Sequence, residues 1–483
     1  MNFRKLLAVL SIAVLFSSYS FSQNQDIMNV EPLAFESDTV SQDGTKKHYF
    51  VAAGGVLLVN GIIGSWNRFV SRAPWAQVTW DEVKHPWERE LVYDRDWYWT
   101  NFVLHPYQGG LYYLAARNSN LNLFESFLYT AAGSATWEYF FELNAPSIND
   151  LCYTSIGGMI TGEMLYRLGL EAQGKNKTVL SFIANPLRLY TDPVLRQKPQ
   201  GSSGMLEDCS LKFGFGMAVA RSDAHVPYSD INEVFPCFGN VEFRTLYADP
   251  YGHDSNIPYS QFYFEFGGAG GKGSGEGVDD TERKLMYDVH IFSDGMILSR
   301  APDMGEGKDT TVGICMEYDF VWNSFMEFSS IAPGFAFKQR INGDGAALSY
   351  QLRTSWVIMG TSDFFYLHRN VYEKPDFTYR DYGYSTGAEL VGKIAYAKKN
   401  GIVLDWTLHG YAFWKYPYQT QKIDDSGWEF IAFSDVSLEM PVSEKINIGI
   451  SDELYLKTTA FDNEKNITQI HNSVNVYARF KFL

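Results

Sequence analysis

Residues 474–483 read VNVYARFKFL. Val474, Val476, Ala478, Phe480 and Phe482 alternate with Asn475, Tyr477, Arg479 and Lys481. A period of two belongs to a β-strand with one apolar and one polar face. Upstream stretches repeat the pattern. LKFGFGMAV (211–219) sets Leu, Phe, Phe, Met and Val against Lys, Gly, Gly and Ala. QFYFEF (261–266) puts Phe262, Phe264 and Phe266 opposite Gln261, Tyr263 and Glu265. LSYQLRTSWVI (348–358) and VLDWTLHGYAFW (403–414) alternate in the same way. From residue 205 we count about twelve such segments of about ten residues, the length a tilted strand needs to cross a bilayer. Their connectors are polar or rich in Gly, Asp and Asn, as in GKGSGEGVDDTER (271–283) and NGDG (342–345). No strand–helix alternation is present, which excludes a parallel α/β sheet.

A soluble sandwich also alternates. Three features favour a transmembrane β-barrel. The apolar faces are dense in aromatics, as lipid contact and interfacial girdles require. The polar faces carry charges of both signs, among them Lys212, Arg244, Asp288, His290, Glu317, Asp319, Arg353, Glu389, Lys393, Asp405, Asp435 and Arg479. A wet lumen accepts such groups, whereas a dry core needs each of them paired. The chain also ends inside a strand with aromatics at 480 and 482, similar to the C-terminal insertion signal of outer-membrane proteins, although Leu483 follows the last aromatic. Closure satisfies every backbone group where lipid cannot.

Composition agrees. Of 483 residues, 46% are hydrophobic and 16% aromatic, an aromatic share that few soluble enzymes use. The net charge of -16 argues against nucleic-acid binding, which needs a basic face. A mean hydropathy of -0.20 excludes a polytopic helical membrane protein and leaves a barrel open.

Residues 1–22 read as a secretory signal peptide: Arg4 and Lys5, an apolar run from Leu6 to Phe16, then Ser20 and Ser22 before the expected cleavage. No Cys follows, which argues against lipoprotein processing. Residues 23–47 are expected to form a flexible leader, 48–170 a helical domain, 171–204 a linker and 205–483 the barrel. The expected fold class is therefore α+β multidomain, and the expected address is the outer membrane.

YFVAAGGVLLVNGIIGSW (49–66) is apolar nearly all round and is expected to be a buried helix, a membrane span being the rival reading. A helix ending near His105 is followed by Pro106 and a second helical run. NLFESFLYTAAGSATWEYFFEL (122–143) is a further helix, stopped by Asn144–Pro146. Ser147 and Asp150 form a capping pair that opens the last helix, on which Glu163 and Arg167 are spaced to pair.

The pieces FVLHPYQGGLYYLAAR (102–117), SATWEYFFE (134–142), APSINDL (145–151) and GGMITGEMLYR (157–167) resemble the uncharacterised bacterial family catalogued as domain of unknown function 3943. The resemblance implies an exported or membrane-associated protein and carries no activity.

His105, Glu138, Glu142 and Asp150 are the candidate catalytic residues: two carboxylates at i, i+4, a third at a helix start and a His are the ingredients of acid–base chemistry. Their structural readings are ion pairs with Arg117 or Arg167, a helix cap, and a donor to a freed carbonyl. The candidate lumen-facing polar residues are Arg244, Asp288, His290, Glu317, Asp319, Arg353, Asp405, His409 and Arg479. The Glu-x-x-His pairs of di-metal bundles, the G-x-S-x-G elbow, the P-loop and H-E-x-x-H do not occur, so neither a metal nor a cofactor is expected. Cys152, Cys209, Cys237 and Cys315 match no zinc spacing, and a Cys209–Cys237 bridge and free thiols are both open. The functional expectation is an outer-membrane barrel whose helical domain plugs it, gates it or docks on it. The alternative is a membrane enzyme acting on lipid or glycan. The expected partners are outer-membrane lipid and the barrel-assembly machinery.

Overall fold

The computed structural model describes residues 46–94, 96–196, 201–202, 204–223, 231–275, 285–323, 326–364, 382–416, 426–463 and 466–482. The expected signal peptide and nearly all of the expected leader lie outside them, as does the tip of the glycine-rich loop.

Twelve antiparallel strands close into one barrel, each paired with its sequence neighbours and β1 with β12. They are β1 (Leu206–Asp223), β2 (Ile231–Tyr247), β3 (Phe262–Gly275), β4 (Leu285–Arg300), β5 (Lys308–Asn323), β6 (Glu327–Asn342), β7 (Ala346–Asp363), β8 (Tyr382–Lys398), β9 (Val403–Lys415), β10 (Gly427–Ser443), β11 (Ile446–Phe461) and β12 (Thr468–Lys481). At 13 to 18 residues they are longer than the expected ten. The register carries the alternation: Phe213 faces Ala478, and Phe215 faces Val476, on the outward surface, while Lys212 faces Arg479 inside. Phe215, Met217, Phe335, Trp356, Phe430 and Val476 are exposed on the outside, the surface an apolar girdle needs.

The helices are α1 (Tyr49–Ser65), α2 (Trp80–Lys84), α3 (His105–Arg117), α4 (Leu123–Phe140), α5 (Ile148–Cys152), α6 (Gly158–Gly174), α7 (Thr178–Ala184) and α8 (Arg188–Leu195). Two of these fall in residues 171–204, which therefore are not a plain linker. The chain divides into two units that interleave: one holds residues up to Asp94, His105–Tyr166 and Phe182–Pro199, and the other holds Arg95–Leu104, Arg167–Ser181 and the barrel.

In the helical unit, α1 is buried along one face only, through Ala52, Gly55, Val56, Val59, Asn60 and Gly64. Phe50, Leu57, Leu58 and Ile62 are exposed on the other. Residues Tyr49–Val70 are long and apolar enough to cross a membrane. α3 meets the turn before α6 at glycine, where backbones touch: a Cβ on Gly109 would stand 1.8 Å from the Thr154 carbonyl oxygen. α4 begins on a capping box in which Asn122 and Glu125 each accept from the other's backbone N–H.

In the barrel unit, the segment before α3 lies on the outer wall. Strand parity puts Tyr318 and Phe320 of β5, and Tyr382 and Tyr384 of β8, outward, and all four are buried. Tyr98 stacks on Phe320 with ring centroids 5.6 Å apart and meets Tyr382 edge-on at 5.1 Å. Trp99 packs on Trp322. Tyr98 Oη shares a hydrogen bond with Thr361 Oγ1 at 2.9 Å, Asn101 donates to Tyr382 Oη at 2.9 Å, and Tyr318 donates to the Phe102 carbonyl. Here the outward aromatics meet protein rather than lipid.

Candidate functional site

The helical unit gathers all four sequence candidates. Asp150 Oδ1 is 3.8 Å from His105 Nε2, and His105 Nδ1 meets Thr154 Oγ1 at 3.1 Å. The Ser147 hydroxyl accepts from the Asp150 backbone N–H, the expected cap. Glu138 Oε2 accepts from the Ser147 N–H at 2.8 Å. Its Oε1 has no partner among the described residues. Trp137 Nε1 donates to Glu142 Oε1 at 2.6 Å. Burial first, and then the neighbouring Asp150 and Glu142 carboxylates, hold the Glu138 carboxyl well above its usual range. Burial lifts Glu142 to about 7, against the opposing pull of His105. Desolvation and like charge thus act on one cluster, a combination typical of functional sites and also of structural networks.

The cations expected to neutralise this cluster are engaged elsewhere. Arg117 binds Glu163 at 2.8 Å, with both side chains buried, and Tyr113 donates to the same carboxylate. Glu163 thus takes its cation from α3 as well as lying on the helix of Arg167, which donates to the Pro258 carbonyl at 2.8 Å. Arg89 instead closes the end of α4, donating to the carbonyls of Tyr139, Glu142 and Asn144 at 2.6, 2.7 and 2.8 Å. Asn118 and Asn185 exchange amide hydrogen bonds at 2.9 and 2.8 Å.

The barrel interior receives the nine lumen candidates and pairs them. Arg244 binds Asp208 at 2.7 Å, and Arg479 binds Glu439 at 2.9 Å and Glu242 at 3.2 Å. His290 Nδ1 meets Asp288 at 2.7 Å. Arg353 binds Glu317 at 3.0 Å and Asp294 at 3.4 Å. Asp405 binds Lys393 at 3.2 Å. Asp319 accepts from Tyr411 Oη at 2.6 Å, and His409 Nδ1 is 3.2 Å from the same hydroxyl. Cys209 and Cys237 are both free thiols.

Sequence reasoning missed an apolar layer inside the barrel. Val321, Met326, Phe328, Ala332, Val357, Tyr411, Phe413, Ile431 and Tyr455 are buried together, with Phe292 and Phe433 packed against them. Phe328 stacks on Phe413, rings 10° from parallel and centroids 5.4 Å apart, and meets Tyr411 at 4.4 Å. Gly360 makes room: a Cβ there would lie 2.8 Å from the Phe413 ring. Beyond this layer is a buried ion cluster in which Lys457 binds Asp363 at 3.1 Å and both Lys457 and Lys415 reach Glu429 at 3.4 Å. The signal was legible in YAFW (411–414), where both faces turn apolar at once, as in a strand buried on both sides.

A closed antiparallel barrel with an apolar, aromatic outside and a polar, paired interior is an outer-membrane-type β-barrel. Residues 90–194 match the family model described as a domain of unknown function, DUF3943. That match covers helices α3 to α7 and nearly all of α8, and ends before the barrel. Among solved structures, the chain is similar to the transport unit of the autotransporter AIDA-I from Escherichia coli, at 7% identity and TM-score 0.26, over 56% of this chain and 89% of that one. It is also similar to the NanC porin, at 9% identity and TM-score 0.24, over 56% and 100%. A third is an outer membrane channel from Pseudomonas putida F1, at 8% identity and TM-score 0.27, over 56% and 95%. No curated protein matches the sequence.

Proposed function

We propose that this protein is an outer-membrane barrel with a sealed interior, which anchors its helical segment at the membrane and is not a diffusion pore. The observation that carries this reading is the Phe328–Phe413–Tyr411 layer, made by the strands' own side chains. A channel needs continuous water through its lumen, and this layer interrupts it without help from any helix. The docking of Tyr98, Trp99 and Phe102 on the outer wall supports anchoring over plugging. The chain reaches the membrane through a cleaved signal at residues 1–22, with outer-membrane lipid and the assembly machinery as its partners. Planar-bilayer recording tests the proposal: the full chain and a chain lacking 48–170 are both electrically silent. Conductance that appears only on that deletion favours a helical plug instead, and conductance of the full chain sinks the sealed-barrel reading.

A second reading rests on the convergence of His105, Glu138, Glu142 and Asp150. A carboxyl near 7 beside a His suits proton transfer to or from a lipid or glycan substrate. If turnover of such a substrate is found, H105Q and E142Q abolish it with the fold intact. Activity that survives both variants removes this reading.

A further inference from the structure

We infer that Asp319, Glu389 and His409, on the inner faces of β5, β8 and β9, form a binding site for one divalent transition-metal ion. One ligand atom from each of the three lies within 4.8 Å of the others. Asp319 and Glu389 are buried. Two carboxylate oxygens and an imidazole nitrogen suit Zn2+ or Mn2+, whereas Ca2+ and Mg2+ prefer all-oxygen shells.

The argument for a ligand is the state of Glu389. Its Oε2 accepts from Ser330 Oγ at 3.2 Å, while Oε1 has no partner among the described residues despite full burial. The same carboxyl faces the carboxyls of Asp319 and Glu317. Three acids abutting in a closed interior repel one another unless something positive stands between them. The nearby fixed cations do not suffice. Arg353 is shared between Glu317 and Asp294, and Lys338 binds Asp294 at 3.0 Å. Four acids therefore face two fixed cations, and Asp319 and Glu389 are left without a lysine or arginine, with only the His409 imidazole, 3.9 Å from Asp319, beside them. One divalent ion supplies the missing charge. Tyr411 donates to Asp319 Oδ2 at 2.6 Å and orients it, as an outer-shell partner does.

A second cluster in the same lumen shows the contrast. Glu242, Glu265 and His290 are as close together. There, however, Glu242 already holds Lys212 and Arg479, and His290 holds Asp288. The His290 Nδ1 is therefore already engaged by a carboxylate outside the trio, and Glu242 by two cations.

The test uses the full chain folded in detergent, stripped with EDTA, then titrated with Zn2+ and separately with Mn2+, and read by elemental analysis and thermal unfolding. The expected result is one equivalent of one of these metals per chain and a midpoint raised by that metal. H409Q, at the half-buried ligand, weakens binding at least tenfold, as does E389Q. H290Q, in the compensated cluster, leaves binding unchanged. If E389Q does not fold, H409Q alone decides. Failure of the native chain to take up a stoichiometric ion, or uptake that H409Q leaves intact or H290Q abolishes, overturns the assignment. The readout is metal content, so it stands apart from the conductance that tests the sealed barrel.

Discussion

Removing the aromatic layer should convert the sealed barrel into a leaking one. The perturbation is Phe328→Ala together with Phe413→Ala, two rings that stack on each other and are both wholly buried. Each truncation alone costs about 3–5 kcal/mol, the range for a buried Phe cut to Ala. Because the rings touch, the second cut loses contacts the first has already removed, so the pair costs less than the sum. The opened space does not stay dry. Lys415, Lys457 and Glu429 lie on one side and the Tyr411–Asp319–His409 group on the other, and polar walls hydrate a cavity. Water then joins the two halves of the lumen. The acids Glu317, Asp319, Glu389 and Asp294 outnumber Arg353 and Lys338, so in protein stripped of metal the new path prefers cations. The assay is planar-bilayer recording, with reversal potentials in a KCl gradient, on protein shown to be folded by its heat-modifiable gel mobility. A folded double variant as silent as the parent would refute the reasoning, and so would a parent that already conducts.

Glu163→Gln strands the Arg117 guanidinium in the helical unit and is expected to cost about 3–5 kcal/mol, read by chemical denaturation of that unit. The pH profile of the helical unit has a defined sign. Glu142 stands at about 7 in the fold against an unfolded value near 4.5, so its contribution is full below about 4.5 and is lost as pH rises through 7. The loss is on the order of 2–3 kcal/mol. Urea midpoints at pH 5 and pH 8 should therefore differ in that direction, and E142Q should remove part of the difference, with Glu138, raised by the same burial, supplying the rest; an unchanged slope refutes the assignment. Tyr98→Ala removes a ring stacked on Phe320 and a hydrogen bond to Thr361, and should raise deuterium uptake across residues 96–104, with little change in the strands. Gly360→Ala drives a methyl into Phe413 and should cost about 1–3 kcal/mol, with no gain in conductance.

Strand number, closure and the facing of Phe213, Arg353, Asp405 and Arg479 were legible in the sequence because alternation is local: a residue's face follows from its neighbours. The convergence of His105, Glu138, Glu142 and Asp150 was half legible. The i, i+4 spacing puts the two glutamates on one helix face, but only the turn of the chain at Ser147 brings Asp150 to them. Pairing across elements was not legible. Arg117 prefers Glu163 to Glu138 because α3 and α6 approach at glycine, a tertiary fact. The buried outward patch on β5 and β8 was hidden for a related reason. Tyr318, Phe320, Tyr382 and Tyr384 have the composition of a lipid girdle, and composition cannot tell lipid from Tyr98 and Phe102.

That ambiguity bears on what the barrel is for. An aromatic strand face turned to lipid gains only apolar contact. Tyr318, Tyr382 and Thr361 instead spend their hydroxyls on the Phe102 carbonyl, the Asp96 carbonyl and the Tyr98 hydroxyl. The Phe102 carbonyl has no N–H four residues on, because position 106 is proline, and it needs such a donor wherever water is scarce. The wall and this one segment thus exchange hydrogen bonds in both directions, Asn101 donating to Tyr382 while Tyr318 and Tyr382 donate back, and the inner layer is built without that segment. Two separable devices, an outer dock and an inner seal, are what an anchor requires. A gate would need them coupled. Tyr98→Ala and the Phe328/Phe413 variant should accordingly be independent: the first should not open the barrel, and the second should not release residues 96–104. Conductance appearing in Tyr98→Ala would show the two coupled and restore gating.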